Sequence, residues 1–511
     1  MVPGLLQQAL LLIRSDSRNR RSSQTFPARN GEGFFIGTTA LPPTQSNAQV
    51  AADLWWSGVR AVQADEAIAG CLNWQADRLC IRGIEQPVRF ADHQQVLVVG
   101  GGKAAAWLGH ALWLSFQRQT HCPWKMSGWL NVPQESFPEQ DSGPIHFHAA
   151  RPAGRNEPTH EAMAGTARIR QMLHRAPAKT LCICLLTGGG SALLVDPIPG
   201  ISLEEKLQVT QMLSRRGANI HQLNAVRTAL SRVKGGGLLL QAPDRRWITL
   251  AISDVLDDHL PTLASGPTIP RPCDWREKAM AVLAEMERSG EPWPKGVAKA
   301  TEKWAEFLQI PSSETKTDSS IQSDYVVLAN NQMALQAASR HAERLAIRAD
   351  VLPTDPYEGD WRSVAHSLVD RWIELHDHKE AGTPRCILSG GEPTVAIPQH
   401  SLGKGGRNQQ LALGVLCRLL ELGRTDLLRR STFLSAGTDG EDGPTDAAGA
   451  WIDQSTWTAA QRLGLDPFAF LDRCDAHSFF AQVGTLFRTG PTRTNVCDLR
   501  IALCATQSHQ S

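Results

Sequence analysis

"TLCICLLTGGG", residues 180–190, is an unbroken apolar run that stops on a threonine and three glycines. A strand with one face in water alternates apolar and polar residues, so an unbroken run describes a strand covered on both faces, as in a parallel sheet between helices. The same pattern recurs in "QQVLVVGGG" (94–102), "RWITLAISDV" (246–255), "DYVVLANN" (324–331), "RCILSGG" (385–391), "STFLSAGTDG" (431–440) and "LRIALCA" (499–505). Most of these runs end at a turn that leads into a helix-like stretch. The predicted fold class is α/β with parallel sheets.

At 511 residues the chain is long enough for two cores. The polar run "PSSETKTDSSIQS" has almost nothing to bury and reads as a linker, which puts a domain boundary near 310–322. The predicted organisation is a disordered extension over 1–45, an N-terminal domain over 46–315 and a C-terminal domain over 322–511. Residues 1–45 are rich in Arg and Ser and poor in acids, with too little apolar surface to offset the entropy of ordering. No fixed-period repeat is visible.

Lys and Arg number 52 against 51 Asp and Glu, and no basic stripe stands out, so nucleic acid is not an expected partner. No apolar stretch reaches the roughly 20 residues of a membrane span, so no membrane association is expected. The 11 cysteines are scattered without C-x-x-C pairs, as in a cytoplasmic protein with reduced thiols. Cys182 and Cys184, two apart on a strand, are expected to pack in the core.

In open α/β sheets ligands bind beyond the carboxyl ends of the strands, and there glycine and charge collect in this chain. Glycine permits positive φ and lets backbone N–H groups approach an anion closely. "VVGGGKAAAWLG" (98–109) fits a loose dinucleotide fingerprint but lacks the acid about 20 residues on. Its Lys103, at the start of a predicted helix, opposes the helix dipole, which points to an anionic partner. Gly188, Gly189, Gly190 and Ser191 form a second loop that can cradle an oxygen-rich ligand or simply turn strand into helix. "NAVRTALSRVKGGGLL" (224–239) reads as a helix with Val226, Leu230 and Val233 on its apolar face and Arg227, Ser231 and Lys234 on another, ended by Gly235–Gly237.

Acids follow two strands: Asp254 with Asp257 and Asp258, and Asp439 with Asp442 and Asp446. Such acids hold Mg²⁺ through one or two carboxylates plus waters and phosphates, or serve as caps and turn formers. "LSGGEPTVAIPQHSLGKGGRNQQ" (388–410) sets Glu392 at a glycine turn and Lys404, Gly405 and Gly406 before Arg407, where a helix begins. An arginine there offers bidentate donors to a carboxylate or phosphate.

Taken in order, "GGGKAAA", "TGGGSALL", "LNAVRTALSRVKGG", "ISDVLDDHLPTLASGPT", "SGGEPTV", "GKGGRNQQLAL", "SAGTDGEDGPTDAAGA" and "TGPTRTNVCDL" resemble the class II glycerate kinases (glycerate 2-kinases) with their MOFRL C-terminal domain, over nearly all of residues 47–505. The resemblance implies a Rossmann-like, doubly wound N-terminal domain, a smaller α/β C-terminal domain and a site between them. It implies ATP- and Mg²⁺-dependent phosphorylation of D-glycerate at the 2-hydroxyl by a monomer or homodimer. It puts Lys103, Glu392 and Arg407 at active-site positions. Gly188, Gly189, Gly190, Ser191, Lys234, Gly405, Gly406 and Asn408 fall around the nucleotide, and Asp254 and Asp439 at the metal.

The sequence departs from that pattern at Thr228 and Ala229, at Leu256 and Asp257, at Cys474 where asparagine is common, and at Arg493 in a glycine position. "ARPAGRNEPT" (150–159) lacks a His-Pro-x-Pro-Asp stretch. The competing readings are a nicotinamide-dependent hydroxypyruvate reductase, resting on the glycine fingerprint, and a non-catalytic sensor of a sugar acid or phosphate.

Overall fold

The structure, a computed structural model, describes residues 46–134, 143–152, 157–257, 259–270, 275–287, 323–355, 358–377, 384–396 and 403–504, with isolated positions between 293 and 297. The extension expected to be disordered, the 310–322 linker and Asp258 lie outside them. The described part opens with helix Asn47–Ala61, started by a capping box in which Ser46 Oγ accepts from the Gln49 N–H and the Gln49 side chain accepts from the Ser46 N–H. Three short strands follow as a small antiparallel sheet: β1 (Leu72–Trp74), β2 (Arg78–Ile81) and β3 (Val88–Arg89).

The first large sheet contains β4 (Gln95–Gly101), β5 (Lys125–Pro133), β6 (Ile145–Arg151), β7 (Thr180–Leu186), β8 (Arg246–Ile252) and β9 (Ser323–Ala329), in the order β6-β5-β4-β7-β8-β9. Every pairing is parallel. This is the doubly wound order, in which the chain runs outward in one direction from β4 and in the other from β7. Alternation along β4 shows the two covered faces. Val96 and Val98 join a core with helix Ala105–Gln117, while Leu97 and Val99 join another with helix His160–Arg175. Cys182 and Cys184 are buried in the second of these cores, as expected.

The second sheet contains β10 (Arg348–Val351), β11 (Arg385–Gly391), β12 (Ser431–Gly437), β13 (Gly449–Ile452), β14 (Leu486–Phe487) and β15 (Asp498–Cys504), in the order β10-β11-β15-β12-β13-β14. It is mixed. β10 and β11 run parallel, but β15 lies antiparallel between β11 and β12, and β13 and β14 are antiparallel as well. The parallel sheet expected from unbroken apolar runs is therefore corrected here. Burial on both faces sets the composition of β15, whereas its direction follows from a loop, not a crossover helix, joining β14 to it.

β9 closes the first sheet, so the change of sheet falls between Ala329 and Arg348, after the polar run that reads as a linker. A run of small polar residues marks a solvated connection, and such connections also join strands of one sheet. The two sheets share a core: helices Asn47–Ala61 and Asn331–Arg344 carry Leu54, Trp55, Val59, Ala334 and Leu335 into one apolar cluster with residues of both sheets. Trp55 packs edge-on against Phe487 and donates its indole N–H to the Ala436 carbonyl. Full burial of a large apolar side chain contributes about 1.5–3 kcal/mol, and many such side chains make up the cluster that spans both sheets.

Candidate active site

In the doubly wound sheet the strand order reverses between β4 and β7, and a crevice opens beyond their carboxyl ends. The two loops interlock there. The Lys103 N–H donates to the Gly188 carbonyl at 2.8 Å, and the Ala104 N–H donates to Thr187 Oγ1 at 3.0 Å. Gly102 (φ 152°) is required, because a Cβ would stand 2.1 Å from Thr187 Oγ1. Gly189 adopts the left-handed conformation (φ 76°) and Gly190 starts a helix that ends at Leu193. A single turn supplies little dipole, so charge at this crevice comes chiefly from side chains.

A cavity of about 720 Å³ extends from the crevice, lined by Gly189, Ser191, Lys206, Arg227, Lys234, Asp254, Glu358 and Glu392 among others. Lys234 is 3% exposed and donates to Ser191 O (2.8 Å), Ser191 Oγ (2.6 Å) and Ser265 Oγ (3.2 Å). Burial first, then the neighbouring Lys206 and Arg227, push its pKa well below the usual lysine range. One side of the cavity thus gathers three cations.

Lys234 is not on the helix predicted for 224–239. That helix spans Ile220–Ala229, although Val226, Leu230 and Val233 are all buried as the periodicity requires. The chain leaves the helix because Ser231 bridges to Pro197 and its hydroxyl accepts from the Val233 and Lys234 N–H groups. Arg227 stays on the helix and lines the cavity.

The second sheet supplies acids. Lys103 Nζ reaches across to Asp439 Oδ2 (3.1 Å) and Glu441 Oε2 (3.4 Å) in the loop after β12. Burial alone would lower the Lys103 pKa, but these two carboxylates outweigh it and raise it. Glu392, just past β11, pairs with Arg407 Nη1 at 2.9 Å. Arg407 also gives Nε and Nη2 to the two oxygens of Asp498, both at 2.8 Å, and Asp498 is fully buried. Burial pushes the Glu392 pKa up against the pull of Arg407. Asp254, after β8, is pushed up to about 6 by burial and then by Glu392, with Lys103 acting the other way. Lys103, Asp254, Asp439 and Glu392 therefore belong to one electrostatic cluster.

Gly405, Gly406 and Asn408 lie at the start of the helix that carries Arg407. The amides that open helix Arg407–Glu421 are occupied by Asp442, which accepts from the Asn408 N–H (3.0 Å) and the Gln409 N–H (2.9 Å). Asn408 is fully buried and accepts from Ser435 Oγ. A Cβ on Gly406 would stand 2.3 Å from Asp442. Asp442 thus caps the start of the helix that carries Arg407, taking two of its first-turn amides.

Asp254 and Asp439 reach the cluster from opposite sheets. Among the described residues no three His, Cys, Asp or Glu side chains converge as a metal-binding set. The donor chemistry still suits a hard cation: two carboxylates face each other's field beside a third, Glu392. Sequence reasoning missed Arg151, Glu441, Glu358 and Asp498. Asp498 and Glu441 lie within motifs that carry the family resemblance and Arg151 within a stretch that departs from it, whereas Glu358 carried no signal.

Two departures from the family pattern fall on left-handed backbone, Cys474 at φ 52° and Arg493 at φ 70°, where asparagine and glycine are least strained. Arg493 lies over the Trp107 ring at 4.1 Å and so ties the loop before β15 to the first domain.

Comparison with known proteins agrees with this architecture. Residues 50–302 match the family described as "Domain of unknown function (DUF4147)", and residues 385–498 match the MOFRL family. The glycerate kinase of Macaca fascicularis is 35% identical over 390 residues, covering 68% of this chain and 94% of that protein. The D-glycerate 2-kinase of Thermotoga maritima is 32% identical over 363 residues, covering 71% and 81%. The crystal structure of glycerate kinase from Thermotoga maritima superposes with a TM-score of 0.71 at 27% identity, covering 90% of this chain and 99% of that one. On this evidence the chain belongs to the glycerate kinase family and carries the MOFRL domain in its C-terminal part.

Proposed function

We propose that this protein transfers the γ-phosphoryl group of ATP to the 2-hydroxyl of D-glycerate, releasing ADP and 2-phosphoglycerate. The observation that carries the reading is the convergence of Lys103 from the first sheet with Asp439 and Glu392 from the second, around Asp254 at the mouth of a glycine-lined cavity.

Phosphoryl transfer asks a protein chiefly for positioning and charge stabilisation. Gly188 and Gly189 offer backbone amides to the nucleotide, and Lys206, Arg227 and Lys234 set a positive field along the cavity wall that Gly189 shares. Ser191, held between Lys234 and Ser265, keeps its hydroxyl at the edge of the loop. Asp254 and Asp439 would hold Mg²⁺. When bound there it would supply charge neutralisation for the phosphates. Lys103 is the cation best placed to follow the charge on the transferred group.

Glu392 takes the acceptor hydroxyl's proton, and its upward-shifted pKa suits a general base. Arg407 orients that carboxylate. With Nε and one Nη committed to Asp498, the guanidinium is fixed as a support.

Full-length protein incubated with ATP, Mg²⁺ and D-glycerate should release ADP in a coupled assay, and NMR should place the phosphorus on the 2-oxygen. Absence of ADP release, or a 3-phospho product, overturns the assignment.

A further inference from the structure

Arg151 is the last residue of β6, at the same carboxyl edge of the first sheet as Lys103 and the Gly188–Gly190 loop. It is 4% exposed, and its Nε is buried with no hydrogen-bond partner. No carboxylate among the described residues lies within ion-pair distance of its guanidinium. A buried guanidinium without an acceptor is costly and is retained where a ligand completes it.

Its surroundings define what that ligand is. A Cβ on Gly189 would lie 3.2 Å from Arg151 Nη2 and 3.3 Å from Lys103 Cγ, so the two cations flank one glycine at the crevice. Glu441 is the acid closest to serving both: it pairs with Lys103 at 3.4 Å and is the carboxylate whose field acts on Arg151. The Glu441 side chain is 49% exposed and so is free to leave. A carboxylate paired with the lysine thus stands within the field of the buried arginine without touching it.

Two other cations of the site are already committed. Arg407 is clamped by Asp498 and Glu392, and Lys234 is bonded to Ser191 and Ser265. Lys206 and Arg227 border the cavity with Lys234. A planar fork matches a carboxylate, whereas a lysine is a point charge suited to a phosphoryl oxygen.

We infer that Arg151 is the receptor for the carboxylate of the acceptor substrate, a 2-hydroxycarboxylic acid, and that Glu441 holds that place until the substrate arrives. The inference rests on the kinase reading of the same site and specifies how the acceptor is recognised. It assigns to Arg151 the discrimination between an acid and its neutral analogues. No bond is made or broken by Arg151; the carboxylate displaces Glu441 and leaves Lys103 to the transferred group.

The test titrates full-length protein with D-glycerate and with its neutral amide, D-glyceramide, by calorimetry without nucleotide, and measures KM and kcat for both acceptors. Arg151→Met should weaken binding of the acid and raise its KM by about 10- to 100-fold, with the amide and the KM for ATP unchanged. Arg151→Lys should recover part of the loss. Glu441→Gln should shift the acid the other way, tightening it several-fold, and this arm stands even if Arg151→Met folds poorly.

Equal losses for acid and amide in Arg151→Met, or a Glu441→Gln protein that binds the acid no better, overturn the inference. Binding of D-glycerate without phosphoryl transfer by the unmodified protein would instead sink the kinase reading while the calorimetry still decides the role of Arg151. No binding of D-glycerate by the unmodified protein overturns both.

Discussion

The two rims of the cleft solve opposite problems. The rim of the first sheet is made of glycine backbone and cations: the Gly188–Gly190 turn, Lys103, which reaches to acids of the other rim, Lys234, bonded to Ser191 and Ser265, Arg227, and Arg151, whose Nε has no acceptor. The rim of the second sheet is made of acids and finished hydrogen bonds: Asp498 on Arg407, Asp442 on the helix amides, Glu392 on Arg407. A rim that gathers cations is a place for anionic ligands, and a rim whose charges pair among themselves is a rigid mount. The difference assigns binding to the first domain and the orientation of the reacting hydroxyl to the second.

If that division is right, the largest effect falls on the acid. Glu392→Gln keeps the shape of the side chain but removes the proton acceptor, and kcat should fall by about 10²- to 10⁴-fold with little change in the KM for ATP. A coupled ADP assay reads it directly, and a kcat within threefold of the unmodified protein would take Glu392 out of the chemistry.

Lys103→Ala comes next, with a loss in kcat of about 10²-fold or more if the ammonium acts in the transition state. A rise confined to KM would move Lys103 to ground-state binding and blur the contrast between the rims.

Asp498→Asn probes the mount. It leaves Arg407 partly buried beside a neutral group, and removal of one partner of a buried pair costs about 3–5 kcal/mol. Since the Arg407 side chain retains 33% exposure, the lower end is expected. Urea denaturation should show that loss together with a fall in kcat, because Glu392 loses the support of a fixed guanidinium. A stable protein with full activity would show that the second rim is not rigid by design.

How much of this was readable beforehand follows from the range of the interactions. All seven unbroken apolar runs became strands, because burial on both faces is written in local composition. Direction is not, which is why β15 turned out antiparallel. Lys103, Asp254, Glu392 and Arg407 stood out because glycine turns at strand ends are local signals. Asp498 lies 91 residues beyond the arginine it clamps, and no window of sequence joins them. The helix start at Arg407 was legible for the same local reason, but the Asp442 that accepts from the Asn408 and Gln409 amides lies 34 residues beyond Asn408. Arg151 lies in a stretch that departs from the family pattern, but one arginine at the end of a strand is ordinary until burial shows its Nε without an acceptor.

Gly189→Ala would sharpen the contrast at smaller cost. At φ 76° a Cβ is strained by about 1–2 kcal/mol, and it would also press on Arg151 and Lys103. Stability should fall by roughly that amount in urea, while the KM for D-glycerate rises more than the KM for ATP.

The smallest effect expected is at Arg493, which connects the two rims. Its left-handed backbone costs about 1 kcal/mol that glycine would not incur, while its guanidinium over Trp107 returns about 0.5–1 kcal/mol. Arg493→Gly should therefore leave stability within about 0.5 kcal/mol of its starting value, the two terms cancelling. Arg493→Ala keeps the strained backbone and loses the stack, so it should be less stable by about 0.5–1 kcal/mol. Neither should move kcat, since the shared core of Trp55, Leu54 and Phe487 holds the sheets together in any case. A loss of several kcal/mol in Arg493→Ala, or a fall in kcat, would show that the rims are kept in register by this single contact and not by the core beneath them.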